Sequence, residues 1–345
     1  MAGTWESMNK VLPGAYINIR TNKPLSITPG DRGTVLILQE MSAGVDKKIY
    51  TVTAIENEWP DSATAADKLL ATEALKKAKT ALVYKLPSDH DAGAVDAALA
   101  AVKTLEFNTL CYPYNAGKDA IKTKIAAWIK GMREDEGIKC QAVLANCSAN
   151  SEGVINVVQG MVMSDGTRLG TEQLTAWVAG ATAGAGITTS NTGMKYTGAI
   201  DVEPRMTKTE MEAAVKAGQL IFKVDSAQNV TVVYDINSLT AFTVDKGEMF
   251  RKNRVIRTLD NIANDITAIF ESSYIGKVNN DDAGRSLLRA SLVEYFNQLQ
   301  AMSAIQNFET ADITIQAGNA SDAVAVTIYV QPVDSVEKIY MTVNL

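Results

Sequence analysis

The sequence predicts a large α/β domain followed by a small α+β domain, with strand-forming segments towards both chain ends. Three features carry that reading. Between residues 33 and 234, short β-type runs alternate with helical stretches of about ten to twenty residues, the rhythm of parallel strands with helices on both faces. From Lys246 this rhythm gives way to two long amphipathic helices. Beyond them Val324, Val326, Ile328 and Val330 alternate with Ala325, Thr327, Tyr329 and Gln331, and after Pro332 the alternation resumes with Ile339, Met341, Val343 and Leu345. A period of two marks a strand with one apolar face.

In chain order, residues 1–24 read as an arm. Tyr16, Ile17, Asn18 and Ile19 alternate just after Pro13 and Gly14, and Pro24 and Pro29 close the segment. The α/β domain, 25–245, takes strands at 34–38 and 49–55 and a helix at 62–79 with Asp61 or Ser62 as its N-cap. Strand 81–86, helix 92–104, strand 109–114, helix 118–136 and strand 139–145 follow. Strand 154–158, helices 171–183 and 207–217, and strands 220–224 and 230–234 complete it. The C-terminal domain, 246–320, opens on a helix of about 25 residues. Val255, Leu259, Ile262, Ile266 and Ile269 form its apolar face; Asn253, Arg257, Asp260, Asn264 and Glu271 lie opposite. A second helix, 282–305, is expected to bury Leu288, Leu292, Phe296 and Leu299, and 321–345 form the C-terminal strands and arm. Chain ends fray unless something ties them down. Strand patterns at both ends therefore point to pairing with another copy of the chain.

Composition narrows the function. A chain of 345 residues has room for about two domains, and 46% hydrophobic with 21% charged residues describes a folded globular protein. No apolar run approaches the roughly 18 residues of a membrane span, so direct membrane insertion is not expected. Residues 1–10 carry no secretory pattern, which places folding in the cytosol. A net charge of −6 argues against a nucleic-acid partner, whose phosphates need a basic surface. Cys111, Cys140 and Cys147 lack paired metal spacing, and the first two fall in apolar runs that suggest buried thiols.

Catalytic motifs are missing. His90 is the sole histidine and sits in the polar run Ser88-Asp89-His90-Asp91, read as a solvated loop. Neither a nucleophile elbow nor a phosphate-binding loop appears. Gly180, Gly184 and Gly186 lie at the end of a helix, where they serve close packing rather than phosphate binding. Asn279-Asn280-Asp281-Asp282 lacks calcium-loop spacing and reads as a helix N-cap. No catalytic, cofactor or metal residues are assigned.

A family resemblance rests on four stretches. Lys252-Asn253-Arg254-Val255-Ile256-Arg257-Thr258-Leu259-Asp260-Asn261-Ile262 resembles the signature of contractile tail sheath proteins of bacteriophages and phage-tail-like bacteriocins. Pro13-Gly14-Ala15-Tyr16-Ile17-Asn18 is similar to the family's N-terminal arm, and Trp177-Val178-Ala179-Gly180 to its small-residue helix. Val232 to Thr240 resembles the segment that leads into the C-terminal domain. The likeness is greatest to short sheaths of Gram-positive phages and R-type, diffocin-like bacteriocins. It implies a subtilisin-like three-layer αβα domain without a protease triad, and a homopolymeric sheath around a tail tube, with baseplate and tail-terminator proteins as further partners. It also implies terminal arms that add strands to a neighbour's small C-terminal sheet, and a C-terminal domain that faces the tube. Lys252, Arg254, Arg285 and Arg289 become candidate tube contacts on that basis. Assembly in the host bacterial cytoplasm, then residence in a virion or released particle, follows from the same likeness. Many sheaths insert an outward β-rich domain after the strand that matches 81–86; here a helix follows within a few residues. From the residues alone, an α/β hydrolase or nucleotide-binding enzyme and another lattice-forming structural protein remain alternatives.

Overall fold

The computed structural model describes residues 30, 32–55 and 57–343. The expected N-terminal arm strand, Tyr16, Ile17, Asn18 and Ile19, lies outside the described residues. The α/β domain begins with β1 (Thr34–Glu40), β2 (Ile49–Thr53), α1 (Ala65–Leu75), β3 (Thr80–Leu86), α2 (Ala92–Ala101), β4 (Thr109–Tyr112), α3 (Asp119–Glu134), β5 (Gln141–Ala145) and β6 (Val154–Val157). Next come β7 (Gly160–Met163), β8 (Arg168–Leu169), α4 (Thr171–Gly184), β9 (Ala199–Glu203), α5 (Lys208–Lys216), β10 (Gln219–Leu220), β11 (Phe222–Val224) and β12 (Val230–Val232). The C-terminal part holds α6 (Asn253–Ser273), α7 (Asp282–Ala301), β13 (Ile305–Gln306), β14 (Ile313–Ala317), β15 (Val324–Ile328) and β16 (Gln331–Pro332).

Seven strands form the main sheet in the order β10-β6-β5-β4-β1-β3-β2, parallel throughout except that β2 runs antiparallel to β3. Both faces are buried, as the near-continuous apolar strands require. Val35 and Ile37 of β1 point into a core with Ala71 and Ala74 of α1 and Trp177 of α4, while Leu36 and Leu38 meet Val95 of α2 and Ile125 of α3. The result is three layers, helix on sheet on helix. Gly180 and Gly184 do what the sequence suggested. A Cβ on Gly180 would stand 2.1 Å from the Ala74 carbonyl oxygen, and one on Gly184 would stand 2.0 Å from that of Lys77, so α4 crosses α1 backbone to backbone.

Several expectations need correction. Helix α1 starts at Ala65, later than expected, because Thr64 rather than Asp61 or Ser62 is the N-cap, in a capping box with Asp67. The expected strand 220–224 breaks at Ile221: β10 joins the edge of the main sheet, and β11 turns away to pair with β12. A three-stranded sheet, β8-β7-β9, went unforeseen; its strands are two to five residues long and β9 carries Asp201 and Glu203.

The polar side of α6 is the largest surprise. Its first three turns are buried nearly all round, with Asn253 and Arg257 fully enclosed and Asp260 5% exposed. That face docks on the α/β domain rather than on water. Arg133 of α3 grips Asp260 with two parallel bonds of 2.6 and 2.7 Å. Arg257 donates to Asp235 at 2.8 Å and to the Thr189 carbonyl at 2.6 Å, and Asn264 exchanges bonds with the Lys139 backbone. Bidentate arginine–carboxylate pairs fix relative orientation more sharply than apolar contact does. The apolar face of α6 meets α7, where Leu288, Leu292, Phe296 and Leu299 are buried as expected, and Asp281 caps α7 through the Gly284 amide at 2.8 Å.

Candidate assembly site: the C-terminal strand and its anchor

The C-terminal ends of β1 and β4 are where parallel α/β sheets usually carry chemistry. Here they hold a closed polar knot. His90 is buried, not solvated as its polar neighbours suggested. Its Nδ1 lies 2.6 Å from Glu40 Oε1 and its Nε2 2.7 Å from the Tyr112 hydroxyl, while Lys118 donates to the His90 carbonyl at 2.7 Å. The Glu40 amide donates to the Tyr114 hydroxyl, whose ring packs 4.5 Å from the imidazole. Burial would raise the Glu40 pKa, yet its bonds to His90 outweigh this and hold the carboxyl below its ordinary value. Both imidazole nitrogens are thus committed to protein groups. The knot ties β1, β4 and the approach to α2 together and presents no free base. Among the described residues no group of three or more His, Cys, Asp or Glu could hold a metal ion, and no helix is long and apolar enough to cross a membrane. Cys111 and Cys140 are buried, which pushes both thiols up to about 12.

The open features lie in the C-terminal part. β14 and β15 form a hairpin with Ile313 opposite Ile328, Ile315 opposite Val326 and Ala317 opposite Val324. Among the described residues no third strand joins it, and on the outer edge of β14 the Arg289 side chain meets the Ile313 carbonyl. Of the expected arm residues, Val324, Val326 and Ile328 therefore pair within the chain, and Val330 packs against the small core. Pro332, which separates the two alternating runs, is buried in β16 opposite Ile305.

Beyond Pro332 the chain is pinned for five residues. The Val333 amide donates to the Ala304 carbonyl at 3.0 Å, and Arg254 donates to the Ser335 hydroxyl at 2.7 Å. Lys252 forms ion pairs with Glu337 and, at 3.1 Å, with Asp334, while its ammonium lies 4.3 Å from the centre of the Tyr234 ring. Ser190 and Thr192 donate to the Glu337 carboxylate at 3.0 and 2.6 Å. Burial opposes the Lys252 charge, but Glu337, Tyr234 and Asp334 outweigh it and lift the pKa above the ordinary lysine value. After Glu337 the support ends. Residues 338–343 form no strand in the chain, with Ile339 77%, Met341 73% and Val343 73% exposed.

Two of the four candidate tube contacts, Lys252 and Arg254, thus hold the chain's own tail. Arg285 bonds Asn280 and Asp282 at the start of α7, and Arg289 bonds the carbonyls of Thr310, ahead of β14, and of Ile313, its first residue. Sequence reading missed Ser190, Thr192, Asp334 and Glu337; an acidic residue just before an alternating apolar run was the one local signal for the last.

The described residues thus combine an α/β body, a hairpin that no third strand joins and an exposed tail of alternating apolar residues. Comparison with known proteins names the family. Residues 89–238 match the family model for the phage tail sheath protein central domain, and residues 245–345 match that for the phage tail sheath C-terminal domain. The tail sheath protein of Clostridium phage phiCD119 is 32% identical over 278 residues, covering 78% of this chain and 76% of that protein. A crystal structure of the sheath tail protein from Desulfitobacterium hafniense is 33% identical, covers 95% of this chain and 99% of that one, and has a TM-score of 0.82. The chain belongs to the phage tail sheath family. The relatives with assigned roles are structural sheath proteins, not enzymes. The uncharacterized protein YqbK of Bacillus subtilis is 36% identical over 76% of this chain, which spans 57% of its length, so the chain covers little more than half of this curated relative. The helical sheath of the anti-feeding prophage in its contracted state shares the fold, with TM-score 0.74 at 16% identity over 97% of this chain and 99% of that one.

Proposed function

We propose that the protein is a structural subunit of a contractile tail sheath, polymerising around a tail tube and shortening to drive that tube through a bacterial envelope. One observation carries the reading: an alternating apolar segment, 338–343, leaves the body unpaired, and among the described residues no third strand joins the β14–β15 hairpin. Main-chain bonding across subunits satisfies such edges, and alternate side chains seat in pockets. Head-to-tail donation does not close on itself and builds a helical lattice. The N-terminal residues Tyr16 to Ile19 would add the second donated strand. The α/β body, of subtilisin-like topology in this reading, supplies the contacts that change between a metastable extended lattice and a contracted one. A few kcal/mol per subunit suffice for two packings of one sequence to interconvert. Membership of the sheath family and likeness to a contracted sheath support this. Tube, baseplate and tail-terminator proteins are the implied partners, with Arg285 and Arg289 as the remaining tube candidates. Assembly takes place in the host cytoplasm, before incorporation into a virion or released particle.

Sedimentation and negative-stain microscopy of the purified chain test the proposal. Striated tubes of uniform width support it. A chain cut before Glu337 should stay folded and monomeric, and normal tube formation by that truncation would contradict strand donation.

A further inference from the structure

Resting on that reading, we infer that the cluster around Lys252 and Glu337 keeps the tail strand from closing on its own hairpin, and so commits it to a second copy of the chain. The problem it solves is local. Residues 329–337 separate the end of β15 from Lys338, whereas a hairpin connection needs as few as two to five residues. Unrestrained, residues 338–343 could turn back antiparallel onto the open edge of β15. Their apolar alternation would suit that edge as well as a neighbour's. Closure through a short loop costs little chain entropy and has a high effective concentration, so self-capping would outcompete association.

The structure blocks that turn at four successive points. Pro332 is paired to Ile305, Val333 to the Ala304 carbonyl, Ser335 to Arg254, and Glu337 to Lys252, Ser190 and Thr192. None of the groups that hold Ser335 and Glu337 belongs to the hairpin. Ser190 and Thr192 follow α4 in the α/β body, and Lys252 and Arg254 sit at the start of α6. The tail is therefore led away from β14 and β15 and leaves the molecule from the side of the body. Glu337 is the outermost pin, with its side chain 7% exposed, and freedom begins at the next residue. This gives Lys252 and Arg254 a positioning role in assembly that needs no contact with the tube.

The test uses the full chain with Glu337→Gln and Lys252→Met, and with Ser190→Ala plus Thr192→Val as a variant that keeps the ion pair. Three readouts are taken: thermal melting, sedimentable polymer, and hydrogen exchange of the amides of 338–343 in dispersed monomer. The single variants should melt within a few degrees of the parent. They should lose at least tenfold of their polymer, with tail amides at least tenfold more protected as the strand folds back. The hydroxyl variant should move the same way by less. A purely stabilising cluster would give no gain in protection, since the amides of 338–343 are unpaired already. Polymer at parental levels, or tail amides no more protected than in the parent, overturns the inference. Failure of the sheath reading looks different: the parent itself forms no ordered polymer, while the exchange comparison in monomer still decides the role of the cluster.

Discussion

Asp260→Leu gives the sharpest stability test, because the pair it breaks joins α6 to α3 of the α/β body. Asp260 is 5% exposed and Arg133 7% exposed, and two parallel bonds link them. Removing the carboxylate leaves the guanidinium with the Cys140 carbonyl, 2.9 Å away, as its remaining close acceptor. A buried charge stranded in this way costs about 3–5 kcal/mol. At about 2–4 °C per kcal/mol for a domain of this size, melting should fall by about 6–20 °C. Pairing the change with Arg133→Met removes the stranded charge, and apolar replacement of both partners is often close to neutral. A double-mutant cycle, read by calorimetry and urea unfolding, should therefore return a coupling of about 2 kcal/mol or more. Asp260→Leu should also speed exchange of the Lys139 amide, which Asn264 of the same helix holds at 3.0 Å. A cost below about 1 kcal/mol for Asp260→Leu, or a double variant that simply sums the singles, would refute the view that this pair fastens α6 to the body.

Three further outcomes are expected. Gly180→Ala must push α4 off the Ala74 carbonyl and should cost about 2 kcal/mol or more, whereas Gly131→Ala, whose Cβ would meet only the Asp135 carboxylate at 3.5 Å, should stabilise by up to about 1 kcal/mol; urea midpoints of both decide. His90→Leu leaves Glu40 and the Tyr112 hydroxyl short of a partner and should cost about 2–3 kcal/mol in the same assay, and a loss near zero would mean the histidine is idle. Burial alone would raise the Asp67 pKa, but bonds from Ser42 and Thr64 outweigh it and lower it from 3.8 to about 2. A depressed carboxyl stabilises the fold above its unfolded pKa and loses that contribution as pH falls. About 2 kcal/mol should therefore disappear between about pH 5 and pH 2, and Asp67→Asn should flatten that part of the stability curve.

Much of the fold was readable because it depends on local period. The strands of the main sheet are short apolar runs between turn signals, and the apolar face of α7 repeats at helical spacing, so both emerged close to their observed bounds. Gly180 and Gly184 were readable as packing positions because no phosphate-binding context surrounds them. What failed depends on distant partners. The polar side of α6 looks solvent-facing until Arg133 and Asp235 arrive from elsewhere in the chain to bury it. His90 looks exposed because its neighbours in sequence are polar, while Glu40 and Tyr112 come from two strands.

The same limit applied to the site. Alternation marked two segments of β-type pattern, but whether each pairs within the chain is a question of register: β15 does, and 338–343 does not. The anchor was out of reach, since Glu337 meets Lys252 across 85 residues and Ser190 across 147. Basic residues on an amphipathic helix invite an external partner, and here two of the four are satisfied by the chain's own tail.

Strand donation between copies is tested most directly by a cryo-EM reconstruction of the assembled polymer at a resolution that traces backbone. The expected map runs unbroken from Glu337 through residues 338–343 into a neighbouring subunit, where they hydrogen-bond along an edge of its β14–β15 hairpin. A map in which this segment lies against its own hairpin, with no strand passing between subunits, would contradict it.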